Sequence, residues 1–316
     1  MTFSEVQSAR ELLAPHIKPS RLLRAESLTR RAGVPVFLKM ESDLPTASFK
    51  PRGAIFALAT RLKRDPVPEV IASSTGNHGA AVAYAAHLLG VRAKIFLPND
   101  PNPVKCARIE RLGAEIVAKG RDLSDAAVHA AEYAHRTGAY YLDDASDPNL
   151  PAGPATIACE IFEQEPSIAT IYVPAGDTAL IRSVAFAAKH LRPSVRIVGV
   201  QAERAPSYYL SWMRGAPVPT DTCNTIADGL ATRNPLPQNV AAIRELVDEM
   251  RLVSEEQMAA AIRWLILEEH AIAEPAGAAA TAALLTQTAP LTEPAAVLLT
   301  GANITEPVLR IAVSAA

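Results

Sequence analysis

The sequence predicts an α/β protein of two lobes built on parallel sheet. Two patterns carry that expectation. From Val34 onward, short β-branched or apolar runs alternate with longer stretches of helical period, as βα units do. Residues 143–154, with three prolines and several Asp and Asn, interrupt the alternation as a crossing between lobes would. The length of 316 residues suits two domains at roughly 100–200 residues each.

In chain order the expected strands are 34–40, 70–73, 93–97, 115–118, 170–173, 196–200 and 295–299, most of them bounded by Gly, Pro or Asp. Helices fill the gaps. Residues 77–89 are alanine-rich and stop at Gly90; 103–112 open on Pro103 and stop at Gly113; 124–137 begin at Ser124 as a hydroxyl cap and stop at Gly138. Residues 216–237 form a second irregular segment. An open α/β fold places its site at the carboxyl ends of the strands, so the turns that follow them hold the informative residues.

Composition narrows the function classes. With 49% apolar and 20% charged residues and a net charge of -2, the chain is globular, and 5% aromatics supply no stacking platform for nucleic acid. Arg21, Arg24, Arg30 and Arg31 read as a solvated helix face rather than a basic footprint. Cys106, Cys159 and Cys223 form neither a close pair nor a metal spacing, so a reduced, cytoplasmic setting without a structural metal is expected. Glu5, Arg10 and Glu11 interrupt any leader-like run, and no later run is long and apolar enough to span a bilayer. His129 and His135, six apart on a helix, and His270 fall in no zinc pattern.

Four turns hold chemistry-bearing groups. Lys50 sits where a helix starts, before Pro51; the macrodipole disfavours a cation there, and a lysine held near apolar neighbours can lose its proton and form a Schiff base with a carbonyl, although on this motif alone a salt-bridged surface lysine is the stronger reading. The run Ser74-Thr75-Gly76-Asn77-His78-Gly79 enters the next helix, whose free N–H groups suit a carboxylate, although hydroxyl caps have the same composition. Gly176-Asp177-Thr178-Ala179 follows a strand as a small-residue loop of the kind that cradles phosphate, and is neither a Walker loop nor a dinucleotide fingerprint. Thr300-Gly301-Ala302-Asn303 closes the last strand.

Taken in order, Ser48-Phe49-Lys50-Pro51-Arg52-Gly53-Ala54, the Ser74 run, Thr225-Ile226-Ala227-Asp228-Gly229, Glu274-Pro275-Ala276-Gly277 and Thr300-Gly301-Ala302-Asn303 resemble the fold-type II pyridoxal-phosphate enzymes, in particular their serine/threonine dehydratase and serine racemase group. The resemblance covers nearly the whole chain. It implies the tryptophan synthase β-like fold: two domains, each an open parallel sheet with helices on both faces, with 1–61 plus 152–316 as the large cofactor domain and 62–151 as the small substrate-clamping domain.

The resemblance also implies roles. Lys50 carries pyridoxal 5′-phosphate on its ε-amine and moves the Cα proton. Phe49 and Asn77 lie beside the pyridine ring, and Ser74, Thr75, Asn77 and His78 receive the substrate carboxylate. Gly176, Asp177, Thr178 and Ala179 take the phosphate, Thr300 faces the pyridine nitrogen, and Glu274 lies near that end of the ring. A neutral hydroxyl at Thr300 does not keep that nitrogen protonated, which favours elimination over transamination. The implied reaction is dehydration and deamination of a small β-hydroxy amino acid by a homodimer.

Rivals are an amino acid racemase, a β-replacing synthase and a non-catalytic binding protein. Three departures bear on them. Asp177 stands where the family has glycine and has two readings, a carboxylate near the phosphate or a cap of the following helix, the second preferred. Thr75 replaces the serine base of the racemases. Tyr209, six residues beyond Glu203, replaces a carboxylate of the metal-stimulated relatives, so no metal is expected. Tyr208, Tyr209 and Trp212 are read as packing, with a substrate-covering role as the alternative. The chain stops soon after the last strand, so no regulatory extension is expected.

Overall fold

The computed structural model describes residues 1–314 except Thr75, Asp100 and Asn102, and gives the backbone alone for Pro103, Val104, Lys105 and Ser124. The elements in chain order are α1 (Phe3–Leu13), β1 (Leu22–Arg24), α2 (Glu26–Ala32), β2 (Val36–Met40), α3 (Pro51–Arg64), β3 (Val70–Ser73), α4 (Asn77–Leu89) and β4 (Ala93–Leu97). There follow α5 (Pro103–Arg111), β5 (Glu115–Ala118), α6 (Leu123–Thr137), β6 (Tyr140–Tyr141), α7 (Ala152–Gln164), β7 (Thr170–Pro174), α8 (Ala179–Leu191) and β8 (Arg196–Ala202). The chain closes with α9 (Ser207–Arg214), α10 (Pro237–Leu246), β9 (Glu249–Val253), α11 (Glu255–Glu268), α12 (Pro275–Leu285), β10 (Ala295–Leu299) and α13 (Glu306–Ser314).

The chain folds into two compact units, Met1–Lys18 with Phe49–Pro154, and Pro19–Ser48 with Ala155–Ala316. The family resemblance implies divisions at 61/62 and 151/152. The first falls earlier because α3 packs on α4, and α1 packs on α3 through the small cluster Ala9, Phe56 and Ala152. The irregular 143–154 stretch does end at a division.

The first unit holds a parallel sheet in the order β5-β4-β3-β6. Helices α4 and α6 cover β3 and β4. Helix α4 ends as its sequence requires, with Gly90 in the left-handed conformation at φ 69°. The cap of α6 is Asp122, whose carboxylate accepts from the Asp125 N–H, so the helix opens at Leu123, one residue before the cap position expected at Ser124.

The second unit holds a sheet in the order β1-β2-β10-β7-β8-β9, parallel except for the antiparallel edge β1. Strands β7 and β10 are buried along their whole length, as central parallel strands covered by helices are. Helix α12 packs across β7, β8, β9 and β10, and it is buried nearly all round because its residues are almost all small. Strands β1, β6 and β9 go unflagged by the sequence. The first two span three and two residues, too short for a period, and β9 interleaves Glu249 and Arg251 with its apolar residues. Arg24 accordingly lies on a strand and Arg21 pairs with Asp43, so only Arg30 and Arg31 of the four arginines sit on a helix, in the last turn of α2.

Candidate functional site

In the first unit, register brings the chemistry together. Strand β6 pairs with β3 so that Tyr140 and Tyr141 lie beside Val70 and Ile71, and the Leu142 N–H continues the ladder to the Ile71 carbonyl at 2.9 Å. The residues after both strands, Ser74 with Gly76, Asn77 and His78, and Asp143 to Asp147, therefore leave the same end of neighbouring strands. The Asp143 carboxylate accepts from the Ser146 N–H at 3.1 Å, and that of Asp147 from the N–H groups of Asn149 and Leu150 and from the Tyr140 hydroxyl. These local bonds shape the turn that presents Asp144 between them.

Lys50 precedes Pro51 as the cap residue of α3, in helical conformation, with its side chain 14% exposed. Its amine forms an ion pair with the Asp144 carboxylate and lies 5.0 Å from the centre of the Phe49 ring. His78, in the first turn of α4, donates from Nε2 to the Leu142 carbonyl at 2.8 Å, since a carbonyl only accepts. That bond fixes the ring, and its Nδ1 lies 3.5 Å from Asp144 Oδ1. Ser74 Oγ accepts from the Gly76 N–H at 3.2 Å, and Asn77 is the first residue of α4. One carboxylate thus gathers a lysine amine and an imidazole beside the start of α4.

In the second unit, four of the sequence motifs meet through small residues. A Cβ on Gly176 would come within 2.1 Å of the Gly229 carbonyl oxygen, one on Gly229 within 3.0 Å of the Ala276 Cβ, and one on Gly277 within 2.3 Å of the Gly301 carbonyl oxygen. The 176–179 loop therefore rests on the string around Gly229, which in turn packs on Ala276, while Gly277 packs on Gly301. The Gly176 carbonyl accepts from the Thr232 hydroxyl at 3.2 Å, and the Asp177 carbonyl from the buried Asn239 amide at 3.2 Å. Asp177 Oδ1 accepts from the Ala179 N–H at 2.8 Å, so this carboxylate does cap α8.

Thr178 stands before Ala179 in the left-handed region, φ 74°, and accepts through Oγ1 from Arg182 Nε at 3.1 Å. Thr300 is 4% exposed at the end of β10, and the Glu274 N–H bonds the Gly301 carbonyl at 3.0 Å. Tyr208 is core packing: 2% exposed, its hydroxyl accepts from the Leu236 N–H and the Asn239 amide.

The first unit thus brings Phe49, Lys50, Ser74, Asn77 and His78 of the expected residues to one end of its sheet, and the second brings Gly176, Asp177, Thr178, Ala179, Glu274 and Thr300 to one end of the other. Thr75 lies outside the described residues. Sequence reasoning misses Asp144, Asn239 and Arg182. A doublet of acids, Asp143 and Asp144, one residue after β6 is a signal for the first, hidden by the shortness of that strand. Among the described residues no three or more His, Cys, Asp or Glu side chains gather as metal ligands, and no helix is long and apolar enough to cross a membrane.

Residues 13–301 match the family described as pyridoxal-phosphate dependent enzymes. The chain belongs to that family. Its similarity to the L-threonine ammonia-lyase of Geobacter sulfurreducens is 34% identity over 259 residues, 82% of this chain and 64% of the relative, so the chain spans less than two thirds of that protein's length. Among solved structures it is similar to threonine deaminase isoform 2 from Solanum lycopersicum, with 30% identity, a TM-score of 0.93, and 99% of this chain and 87% of the other covered. It is also similar to the T.th. threonine deaminase, with 31% identity, a TM-score of 0.91 and 96% and 99% coverage. The expected two-sheet α/β class is the one found.

The residues present fit the cofactor of this family. The Ala179 N–H at the start of α8 already holds an anionic oxygen, that of Asp177. The Gly229 carbonyl leaves no room for a side chain at position 176 of that loop. Lys50 supplies an amine that a pyridoxal aldehyde requires.

Proposed function

We propose that this chain is an ammonia-lyase that removes water from a small β-hydroxy α-amino acid, serine, threonine or a related 3-hydroxy acid, and releases a 2-oxo acid and ammonia. The observation that carries the reading is Lys50: an amine at a helix start, little exposed, ion-paired to Asp144 and beside the Phe49 ring. Two of the relatives just described, at 34% and 31% identity, bear the names threonine ammonia-lyase and threonine deaminase.

Pyridoxal phosphate, when bound, supplies an electron sink for the charge that develops at the substrate Cα. In this proposal Lys50 would anchor it, with Phe49 and Asn77 beside its ring, Gly176, Asp177, Thr178 and Ala179 taking its phosphate, Thr300 at its pyridine nitrogen and Glu274 near that end. Lys50 then serves as the base at Cα, and Asp144 stabilises the ammonium formed when the amine accepts that proton. Ser74, Thr75, Asn77, His78 and the N–H groups opening α4 receive the substrate carboxylate and orient the α-hydrogen. His78 keeps its place through the Leu142 carbonyl. Thr300 offers a neutral hydroxyl rather than a carboxylate, a partner that favours loss of the β-substituent over transamination. A homodimer in a reduced, cytoplasmic setting belongs to the same reading; the three cysteines form no disulfide among the described residues.

Lys50→Ala tests the proposal. The variant is expected to lose 2-oxo acid production from L-serine and L-threonine, and to lose the borohydride-fixed adduct that mass spectrometry finds on the Lys50 peptide of the parent. Full turnover by the variant contradicts it. Racemisation of unreacted substrate without 2-oxo acid would replace elimination with the racemase reading.

A further inference from the structure

Arg31 has no part in the reaction proposed above, yet it is held in a fixed place. Its Nη2 donates to the Leu285 carbonyl at the end of α12 at 2.8 Å, and its guanidinium stands 5.8 Å from the centre of the Trp264 ring of α11. Among the described residues no carboxylate pairs with it, whereas Arg21 and Arg24, earlier in the chain, meet Asp43 and Glu26. A guanidinium carries five N–H donors, and the Leu285 carbonyl takes up few of them.

The same arginine lines a cavity of about 290 Å³, near the lower end of the roughly 300–1,000 Å³ of small-molecule sites. The cavity lies within the second unit, between the last turn of α2 and the residues that lead from α12 to β10. Leu28 and Leu284, 1% and 7% exposed, give it an apolar floor, and Thr288 stands exposed at its mouth. Gln287 fixes its wall: Oε1 accepts from the Tyr172 hydroxyl and from Arg251 Nη1 at 2.8 Å, and Nε2 donates to the Ala289 carbonyl at 2.6 Å.

Of the residues that line the cavity, Arg31 alone is charged. A single cation beside an apolar floor is complementary to one carboxylate on an aliphatic tail. The planar fork matches the two oxygens, and the leucines take the tail out of water. A phosphate dianion would find half of its charge unmatched.

We propose that this cavity binds a small monocarboxylate with a compact aliphatic tail, at a site that shares no residue with the one proposed for the reaction.

The experiment is isothermal titration calorimetry of the protein loaded with pyridoxal phosphate, with 4-methylpentanoate and its neutral amide, 4-methylpentanamide, as probes. Three proteins are compared: the parent, Arg31→Met, and Ala32→Leu, whose longer side chain fills part of the cavity. The parent is expected to bind the acid at least about fivefold more tightly than the amide, the worth of a charge-assisted contact open to solvent. Arg31→Met is expected to bind both probes as the parent binds the amide, and Ala32→Leu to bind neither. A parent that binds neither probe overturns the proposal. So does acid affinity that survives in Arg31→Met, the mark of a carboxylate held elsewhere, such as the clamp before α4. Equal losses of acid and amide in Arg31→Met, the mark of a damaged wall, or unchanged binding in Ala32→Leu, overturn it as well.

Discussion

At the scale of single residues, Asp144 decides how Lys50 is held. Its carboxylate pairs with the amine, while its neighbours Asp143 and Asp147 are occupied by the backbone of their own turn. Asp144→Asn keeps the shape and removes the charge that stabilises the lysine ammonium. We expect kcat for 2-oxo acid formation to fall by roughly 10²-fold, the scale of a misplaced or weakened base, with KM for the amino acid little changed; steady-state kinetics at saturating cofactor reads both. Lys50, Asn77 and Thr300 are legible in the sequence because each stands in a turn after a strand that the apolar pattern announces. Asp144 is not, because its strand, Tyr140–Tyr141, is two residues long and has no period to read. Asn239 lies inside a helix far along the chain, and only the fold brings its amide to the Asp177 carbonyl.

At the scale of elements, the loop before α8 sets stability against binding. Thr178 holds a left-handed φ that glycine adopts freely. Thr178→Gly is therefore expected to stabilise the apoprotein by about 1 kcal/mol, the low end of the cost of such strain, seen as a higher melting temperature. It is also expected to weaken pyridoxal phosphate binding, because the hydroxyl is gone. A residue with a purely structural role moves the two quantities in the same direction. Gly277 behaves oppositely: in Gly277→Ala the new Cβ would press on the Gly301 carbonyl oxygen at 2.3 Å. Overpacking of this kind costs roughly 1–3 kcal/mol, so a lowered melting temperature is expected, and an unchanged one contradicts the packing described. The helix boundaries at Gly90 and Gly138 are legible because glycine there adopts the left-handed cap. The cap of α6 is harder to read because Asp122 and Ser124 both qualify, and geometry alone selects between them.

At the scale of the whole molecule, the order of strands in the two sheets is beyond the sequence. Central strands β7 and β10 stand out as unbroken apolar runs, but which pair with which depends on crossovers that local pattern does not encode. Burial also gives the molecule an alkaline limit. The Tyr141 phenol is pushed up to about 12 by desolvation and by the nearby charge of Asp143, and burial raises the Tyr140 and Tyr172 phenols as well. The folded state thus keeps a proton that an unfolded tyrosine loses near pH 10. This contribution is complete below that pH and is lost as pH climbs from about 10 to about 12. Melting temperatures should fall across that window, and Tyr141→Phe should make the fall shallower; an identical slope contradicts the assignment.

The proposal of an ammonia-lyase that works through Lys50 is tested most directly by one titration. The purified protein, loaded with pyridoxal phosphate, is titrated with L-serine, L-threonine and bulkier 3-hydroxy amino acids while its visible absorption and the released 2-oxo acid are followed together. The account predicts that at least one amino acid shifts the absorption band as 2-oxo acid and ammonia accumulate in equal amounts. A loaded protein whose band shifts with none of them, and which releases no 2-oxo acid, contradicts it.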